Sequence, residues 1–336
     1  MISDIKGIHI NVINAALPHN LFTVTEYTKG LVNEKDAKRL AKNTGFEMLR
    51  ISDEFVTTAD LCFKAAENIF SKSNMKKEDI DAVVFVSQTS DYILPATSHV
   101  LQNKLGLSEN IVALDINQGC SGYIYGLYIS SMLVSTGNCR NVLLCAGDTI
   151  SKLTAENDRA TRTIFGDAGT ATIISKGNDR ISFNFNTLGK DYSSIIVENN
   201  SFRKNNQAEK SKFLSLDGMK IMNFTLDIVP QNIKELLNHV QIDKNEISLY
   251  ACHQANKLIL LSLADKLEID REKLPFVANK IGNTSSASIP LLFTENYYDK
   301  QAELKKVIAC GFGVGLSVAT AYFDLSDTNI IRTIEL

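Results

Sequence analysis

One of the six cysteines, Cys120, stands where its sulfur could act as a nucleophile. The run IVALDI (111–116) predicts a strand, NQG predicts a polar turn, and Cys120 then opens the helical stretch SGYIYGLYISSMLV. A thiol at a helix N-terminus faces unpaired backbone N–H groups and the positive end of the helix dipole, which lowers its pKa. The sequence therefore predicts a reactive thiolate at Cys120, and a packed structural thiol is the alternative that this local pattern leaves open.

Two other polar residues could take part in the same chemistry. His253 ends the strand-like run LYAC and precedes a helical pattern, and Asn283 lies in NKIGNTSSASIP, a run of small and polar residues. A histidine can move a proton near neutral pH, and an amide donates a hydrogen bond without titrating. Taken singly, each is equally explained as a hydrogen-bonded side chain or a helix cap.

The glycines of GFGVG (311–315) follow the strand-like run KKVIAC and have the spacing of part of a dinucleotide-binding turn. We reject that interpretation because the next segment, LSVATAYF, has the pattern of a strand and leaves no room for the crossover helix that such a site needs. The sequence predicts instead a hairpin turn whose backbone lies close to a ligand.

These residues are embedded in an alternating pattern that indicates an α/β fold. The predicted strands are IDAVVFVSQ, NIVALDIN, NVLLCAGD and TATIIS, followed by ISLYACHQ, PFVAN, KKVIACGFG and LSVATAYF. The predicted helices, with apolar residues at three- and four-residue spacing, are FVTTADLCFKAAENIFSK, PATSHVLQNKLG, YIYGLYISSMLVSTG, IVPQNIKELLNHV and NKLILLSLADKLE. The polar segment 204–212 is predicted to join two halves or to form an entrance loop.

Composition excludes several classes of function. A net charge of −3 over 336 residues gives no global field for nucleic acid or an anionic membrane. The cysteines form no CxxC pair, so neither a zinc site nor a redox motif is indicated, and no tightly bound cofactor is expected. The N-terminal residues lack a signal-peptide pattern and no run approaches the ~20 apolar residues of a membrane span. We therefore expect a cytoplasmic protein.

Taken together, the motifs DINQGCSGYIYGL, NDRATRTIFGDAGTA, ACHQAN, NKIGNTSSASIP and GFGVG occur in an order and spacing that resemble the 3-oxoacyl-acyl-carrier-protein synthase III family of the thiolase superfamily. The resemblance covers nearly the whole chain. It implies a layered αβαβα fold of two related halves, with residues 1–180 carrying the cysteine and residues 181–336 carrying the histidine and asparagine. It also implies a homodimer.

By that resemblance, Cys120, His253 and Asn283 form the catalytic set of a decarboxylating condensing enzyme. Cys120 would accept an acyl group from a thioester, with the backbone N–H groups of Cys120 and Val314 holding the oxyanion. A malonyl thioester would then lose carbon dioxide while His253 and Asn283 stabilise the enolate. Acyl-CoA or acyl-carrier-protein thioesters are the implied substrates, and the acyl carrier protein is the implied partner.

The resemblance assigns further residues to the substrate. Arg159 stands where the family contacts the nucleotide of coenzyme A, Phe165 where it narrows the acyl pocket, Phe312 beside the nucleophile and Asn256 in the HQAN motif. The stretch LSLDGMKIMNF (214–224) is expected to line or approach the acyl pocket.

Several positions depart from the family pattern. Arg39 replaces a tryptophan that stacks on adenine, and Asn43 replaces an arginine before the pair Thr44–Gly45. Leu258 replaces an arginine that meets the carrier protein, so Lys257 is the candidate for carrier docking, and Lys266, Lys204, Lys210 and Lys212 are further basic candidates. The changes around coenzyme A favour a carrier-protein donor or a differently held coenzyme A.

The leading interpretation is therefore decarboxylative Claisen condensation of a primer on Cys120 with malonyl-acyl-carrier protein, in fatty-acid initiation or a related specialised pathway. One alternative is a non-decarboxylating acyltransferase that passes the acyl group to an oxygen, nitrogen or sulfur nucleophile, with His253 acting as base. A second is a non-catalytic partner that shapes chain length in a complex, although such a protein would not need Cys120.

Overall fold

The fold is that of a computed structural model, which describes residues 1–199, 202–203 and 212–336. The predicted joining segment 204–212, with Lys204 and Lys210, lies outside the described residues except for Lys212. The strands are β1 (Ile2–Leu17), β2 (Leu21–Thr23), β3 (Met48–Arg50), β4 (Ala82–Val86), β5 (Val112–Ile116), β6 (Asn141–Asp148), β7 (Ala168–Thr187), β8 (Ile195–Ile196), β9 (Ser215–Leu216), β10 (Leu249–Cys252), β11 (Val307–Gly313), β12 (Ser317–Phe323), β13 (Asn329–Ile330) and β14 (Ile334–Glu335). The helices are α1 (Val24–Tyr27), α2 (Glu34–Thr44), α3 (Thr58–Lys72), α4 (Thr97–Leu105), α5 (Gly122–Ser135), α6 (Arg159–Arg162), α7 (Gly218–Val240), α8 (Lys257–Leu267) and α9 (Ser288–Asn296).

Ten strands of the described residues form one mixed sheet. Its path runs β10-β11-β12-β7-β6-β4-β5, and β1 lies antiparallel to β7 over most of both strands. The first half of β7 pairs with β6 and its second half with β12, so β7 connects the two parts of the sheet. Strands β11 and β12 are antiparallel neighbours joined by a short turn, which confirms the hairpin predicted at GFGVG.

The helices pack against the sheet in three sets. Helices α5 and α9 lie in the middle and share one core with strands from both parts of the sheet. Helices α3 and α4 cover β1, β4, β6 and β7 in a second core. Helices α7 and α8 cover β10, β11 and β12 in a third. The layers therefore follow the αβαβα order that the sequence predicted.

Local sequence signals account for where the helices begin and end. The Thr57 hydroxyl accepts from the Asp60 N–H while the Asp60 carboxylate accepts from the Thr57 N–H, a capping box that starts α3. The Asn256 side chain accepts from the Ile259 N–H (2.8 Å) and starts α8. Helix α2 ends at Gly45, whose φ of 86° suits glycine.

One predicted strand has another conformation, and one observed strand crosses the predicted boundary between the halves. The segment PFVAN (275–279) is not a strand, because the Val277 N–H bonds the side chain of Gln254 (2.8 Å) rather than a neighbouring strand. Strand β7 spans the expected boundary at residue 180. The division of the chain into halves 1–180 and 181–336 stays a prediction.

Candidate active site

Cys120 lies in the turn between β5 and α5, with only 8% of its surface exposed. The turn is closed by the Gly122 N–H, which donates to the Gly119 carbonyl (2.6 Å). Strand β11 passes close behind it, since a Cβ at Gly311 would lie 2.6 Å from the Cα of Ser121. Only glycine permits this approach, which fixes the position of the sulfur relative to β11.

The environment of Cys120 raises the pKa of its thiol to about 11. Burial is the largest cause, because the anionic thiolate would lose its water. The Ser285 hydroxyl, 3.9 Å from Sγ, and the backbone N–H groups of Val314 and Cys120 lower this pKa, but less than burial raises it. The predicted lowered pKa is therefore wrong for this structure, and the resting group is a neutral thiol.

His253 follows β10 and lies in the same buried region. Its backbone N–H donates to the Cys310 carbonyl (2.8 Å), and its ring meets the Phe312 ring edge-on, with the ring centres 5.5 Å apart. Burial lowers the pKa of the imidazole to about 3, so the ring is neutral. A neutral ring carries one N–H, and its hydrogen bonds decide which nitrogen holds it.

Ser288 determines that choice. The Ser288 hydroxyl donates to the Ser285 carbonyl (2.9 Å) and lies 2.7 Å from Nδ1 of His253. Because a hydroxyl has one hydrogen, Nδ1 must be the donor in the second contact. The Nε2 atom is then left with a free lone pair and can accept a proton.

Asn283 is held on both sides. Its backbone N–H donates to the Ile164 carbonyl (2.7 Å), and its carbonyl accepts from the Gly166 N–H (3.1 Å). Its side-chain Oδ1 accepts from the Ser285 N–H (3.0 Å), so the Nδ2 donors are directed away from that contact. Ser285 has φ of 50°, a left-handed conformation that costs energy outside glycine and often occurs at active sites.

The turn between β11 and β12 brings Val314 beside Cys120. A Cβ at Gly313 would lie 2.9 Å from the Sγ of Cys120, so the backbone of this turn contacts the sulfur closely. The Ser317 hydroxyl donates to the Val314 carbonyl (2.8 Å) and also lies 2.8 Å from the Ser121 hydroxyl. These contacts connect the hairpin to the turn between β5 and α5 that carries Cys120, the predicted nucleophile; this turn is called the nucleophile turn below.

Cys120, His253 and Asn283 line one cavity of about 460 Å³. Several other residues that the sequence singled out line it as well: Asn256, Phe165, Phe312, Val314, Leu214, Leu216 and Ile221. Met219, which was expected near the pocket, is 73% exposed and does not line it. The remaining walls are mostly aliphatic, from Ile150, Leu153, Ile164, Ile195, Ile196, Val197 and Ile259. The cavity suits an apolar acyl chain next to a polar reaction end.

Two predicted residues lie outside this cavity. Arg159 is exposed on α6 and is not among the cavity-lining residues. Lys257, the first residue of α8, is exposed and lines a neighbouring basin of about 600 Å³, to which Lys38 and Lys42 of α2 also contribute. Gly45 lets the end of α2 lie close against the start of α8, since a Cβ there would lie 2.6 Å from the Cβ of Lys257.

Sequence reasoning missed the hydrogen-bonding residues behind the site. Ser285 and Ser288 were seen only as part of a small, polar run, and Asp148 only as the end of a strand. A cluster of serines flanking Asn283 was the available signal.

Within the described part of the chain, no helix is long and apolar enough to cross a membrane, and no group of three or more His, Cys, Asp or Glu residues could hold a metal ion.

Two family models match this chain. The model of 3-oxoacyl-[acyl-carrier-protein (ACP)] synthase III matches residues 114–189, which include the Cys120 turn. The model of the C-terminal part of the same synthase matches residues 237–325, which include His253, Asn283 and Val314.

Curated relatives and solved structures agree with these matches. The chain is 33% identical over 295 residues to a beta-ketoacyl-[acyl-carrier-protein] synthase III of Clostridium tetani, covering 83% of this chain and 87% of the relative. It is 31% identical over 289 residues to the protein of that name from Lactobacillus helveticus, covering 84% and 88%. The solved structure of a 3-oxoacyl-(acyl-carrier protein) synthase from Burkholderia xenovorans is 36% identical in sequence and superimposes with a TM-score of 0.96. The alignment covers 100% of this chain and 99% of the Burkholderia chain.

Proposed function

This chain belongs to the 3-oxoacyl-[acyl-carrier-protein] synthase III family, whose members are transferases that condense an acyl primer with malonyl-acyl-carrier protein, and we propose that Cys120 carries the primer. The fold is thiolase-like. One observation carries the assignment of residues: Cys120, His253 and Asn283 come from three distant parts of the chain and line the same buried cavity.

The first half of the reaction needs a nucleophile and a base. The Cys120 thiol attacks the thioester carbonyl, its proton moves to the free Nε2 of His253, and the leaving thiol then takes that proton. The N–H groups of Cys120 and Val314 face the sulfur, so an oxyanion formed beside it lies within their reach. The products are the acyl-enzyme and a free thiol.

The second half needs donors for an enolate. The malonyl thioester loses carbon dioxide, and the Nδ2 group of Asn283 donates to the enolate oxygen. His253 can donate from Nε2 only in its other tautomer, in which Nδ1 has lost its proton to water and Nε2 has taken one from water. The Ser288 hydroxyl then donates to Nδ1 instead of to the Ser285 carbonyl. The enolate carbon attacks the acyl group, the carbon–sulfur bond breaks, and the Cys120 thiolate takes a proton from water.

A second candidate is a non-decarboxylating acyltransferase. The free lone pair on Nε2 of His253 favours it, because that atom could deprotonate an incoming hydroxyl, amine or thiol. The fixed amide of Asn283 has no role in that reaction, which makes it the second choice.

We also propose that the acyl carrier protein docks beside Lys257. Lys42 and Lys257 border one basin near the N-terminus of α8, together with Glu47 and with Lys38, which is ion-paired with Glu34. Leu258 presents a half-exposed apolar side chain where the family pattern has an arginine. The family resemblance implies that the acyl carrier protein is acidic. Ammonium groups on this surface would therefore attract it. The exposed Arg159 remains a candidate contact for the nucleotide of coenzyme A.

Intact-protein mass spectrometry tests the proposed function. The protein is offered a panel of acyl-CoA and acyl-carrier-protein donors and then malonyl-acyl-carrier protein, and both the mass of the enzyme and the released carbon dioxide are measured. We expect acylation that disappears in Cys120→Ala. In Asn283→Ala we expect acylation to persist while discharge by the malonyl thioester slows by about 100-fold or more.

Two outcomes would contradict the proposal. Acylation that survives in Cys120→Ala would remove the assigned nucleophile. An acyl-enzyme that ignores malonyl thioesters but transfers its acyl group to a hydroxyl, amine or thiol acceptor would favour the second candidate.

A further inference from the structure

Asp148 is a fully buried carboxylate at the end of β6, next to the catalytic cavity but outside the proposed reaction. Its Oδ1 accepts from the Gln88 N–H (2.7 Å), the Ser87 hydroxyl (3.1 Å) and the Thr89 hydroxyl (3.3 Å). Its Oδ2 accepts from the Ser286 hydroxyl (2.9 Å) and the Ser286 N–H (3.3 Å). Both oxygens are therefore occupied, each by a different segment of the chain.

The two segments contribute different parts of the cavity wall. The first follows β4 and carries Gln88, which lines the cavity and packs against Gly119 of the nucleophile turn. The second carries Asn283 and Ser285, which line the cavity beside Cys120. Asp148 is thus a single bridge between the wall near the nucleophile turn and the loop that carries the proposed enolate donor.

The charge of Asp148 is unfavourable for the nucleophile. Burial raises the pKa of the Asp148 carboxyl, although its donors lower it, and the carboxylate is one cause of the raised pKa of Cys120. A residue whose only role was to activate the thiol would lower the pKa of Cys120 instead of raising it. We therefore infer that Asp148 helps the reaction through its hydrogen bonds and not through its charge.

We propose that Asp148 is a positioning residue that holds the Asn283–Ser286 loop, and with it the amide of Asn283, in place for decarboxylation. This inference rests on the proposed function. The Asn283 amide is oriented by the Ser285 N–H, and Ser286 is the next residue, so a shift of Ser286 moves the amide. The groups proposed for acylation, which are the Cys120 and Val314 N–H groups and His253, make no hydrogen bond to Asp148.

Asp148→Asn is the direct test, because it keeps the size of the side chain and one acceptor oxygen. The other oxygen becomes an amide N–H₂, which cannot accept hydrogen bonds from the donors that it faces. Asp81→Asn is the control. Asp81 also accepts from two backbone N–H groups, those of Arg140 (2.6 Å) and Asn141 (3.2 Å), but it lies beside the start of β6 and makes no hydrogen bond to the Asn283–Ser286 loop.

Two single-turnover rates are measured in each protein: acylation of Cys120 by the best donor of the panel, and discharge of the acyl-enzyme by malonyl-acyl-carrier protein. In Asp148→Asn we expect discharge to fall by about 100-fold, the scale of a misplaced catalytic group, while acylation falls far less. In Asp81→Asn we expect the ratio of the two rates to match that of the wild type, even if the variant is less stable.

If Asp148→Asn does not fold, Ser286→Ala removes one donor to the same carboxylate and should lower the same ratio by roughly tenfold, which corresponds to one hydrogen bond. An unchanged ratio in the folded variant that is tested would overturn the inference. A wild-type protein that is acylated but never discharged by the malonyl thioester would instead refute the proposed function, so the two failures can be told apart.

Discussion

At Cys120, burial and hydrogen bonding act on the thiol in opposite directions, and the effect of burial is larger. The same holds for His253, where burial lowers the pKa of the ring to about 3. At neutral pH the two groups are therefore a thiol and an imidazole, rather than the thiolate–imidazolium pair of cysteine enzymes with depressed thiol pKa values. In the proposed reaction, the Cys120 thiolate would therefore form only as the proton moves to Nε2 of His253 during attack.

Alkylation of the unliganded protein by iodoacetamide tests this charge state. Because the pKa of Cys120 is raised to about 11, the thiolate fraction and the alkylation rate should increase about tenfold for each pH unit across the neutral range, without a plateau. Cys120→Ala serves as the control for the other cysteines, all of which are buried. A plateau beginning at or below neutral pH would instead indicate a pre-formed thiolate.

At the residue scale, the sequence predicted side chains that the structure brings to one cavity, but it did not predict their orientations. Cys120, His253 and Asn283 could be singled out because each follows a strand or lies in a distinctive run. The tautomer of His253 depends on one hydroxyl hydrogen of Ser288, and the role of Asp148 depends on which oxygen accepts from which segment. Such details follow from three-dimensional distances that no spacing along the chain encodes.

At the scale of elements, the nucleophile turn depends on how closely β11 passes behind it. The Gly311 position faces both the Ser121 Cα and the Cys120 carbonyl, which a Cβ would approach to 2.6 and 2.8 Å. Both neighbours are backbone atoms at the start of α5 and cannot rotate away. An added methyl group must therefore separate the strand from the turn.

Gly311→Ala should displace the nucleophile without unfolding the protein. Overpacking of this kind costs about 1–3 kcal/mol of stability, whereas a nucleophile shifted by about 1 Å can lose about 100-fold in rate. Acylation rates and thermal unfolding measure the two effects separately. Gly189→Ala is the control, since a Cβ at Gly189 meets no atom within 4 Å; near-normal acylation in Gly311→Ala would show that the turn tolerates the displacement.

Element types followed from the sequence wherever periodicity was strong. The cores of α3, α4, α5 and α8 lie where apolar spacing predicted them. The segment PFVAN was misassigned because its short apolar run resembles a strand, whereas Pro275 lacks an N–H and the Val277 N–H is bound by a glutamine side chain. Strand β1 was not singled out, although its pairing with β7 forms the longest ladder of the sheet.

At the scale of the whole molecule, the edge of the main sheet at β5 leaves apolar side chains exposed. Among the described residues β5 pairs only with β4, and Val112 on this strand is 44% exposed. Asp115 of β5 accepts from the Thr97 N–H (2.7 Å) at the start of α4, and the loop 92–94 just before that helix carries Tyr92, Ile93 and Leu94, which are 59%, 78% and 80% exposed. Unpaired edges and apolar patches of this kind favour association. We therefore propose a homodimer in which this face meets its symmetry-related copy.

Light scattering coupled to size-exclusion chromatography tests the dimer. We expect the wild type to elute as a dimer and Ile93→Glu to shift toward monomer, because a carboxylate at the centre of an apolar interface would lose its water without a partner. Leu21→Glu is the control, since Leu21 is a partly exposed aliphatic residue on β2, which belongs to a separate two-stranded sheet with β3. A monomeric wild type, or a dimeric Ile93→Glu, would exclude this face as the interface.

Dissociation should also affect the chemistry, because β5 runs directly into the turn that carries Cys120. In a dimer the edge strand is supported on both sides, and the turn that follows it is held more firmly than in a monomer. Ile93→Glu should therefore acylate more slowly than Leu21→Glu at low protein concentration, and part of that loss should be recovered as the concentration rises and the dimer re-forms. A loss independent of concentration would mean that Ile93 acts within its own subunit.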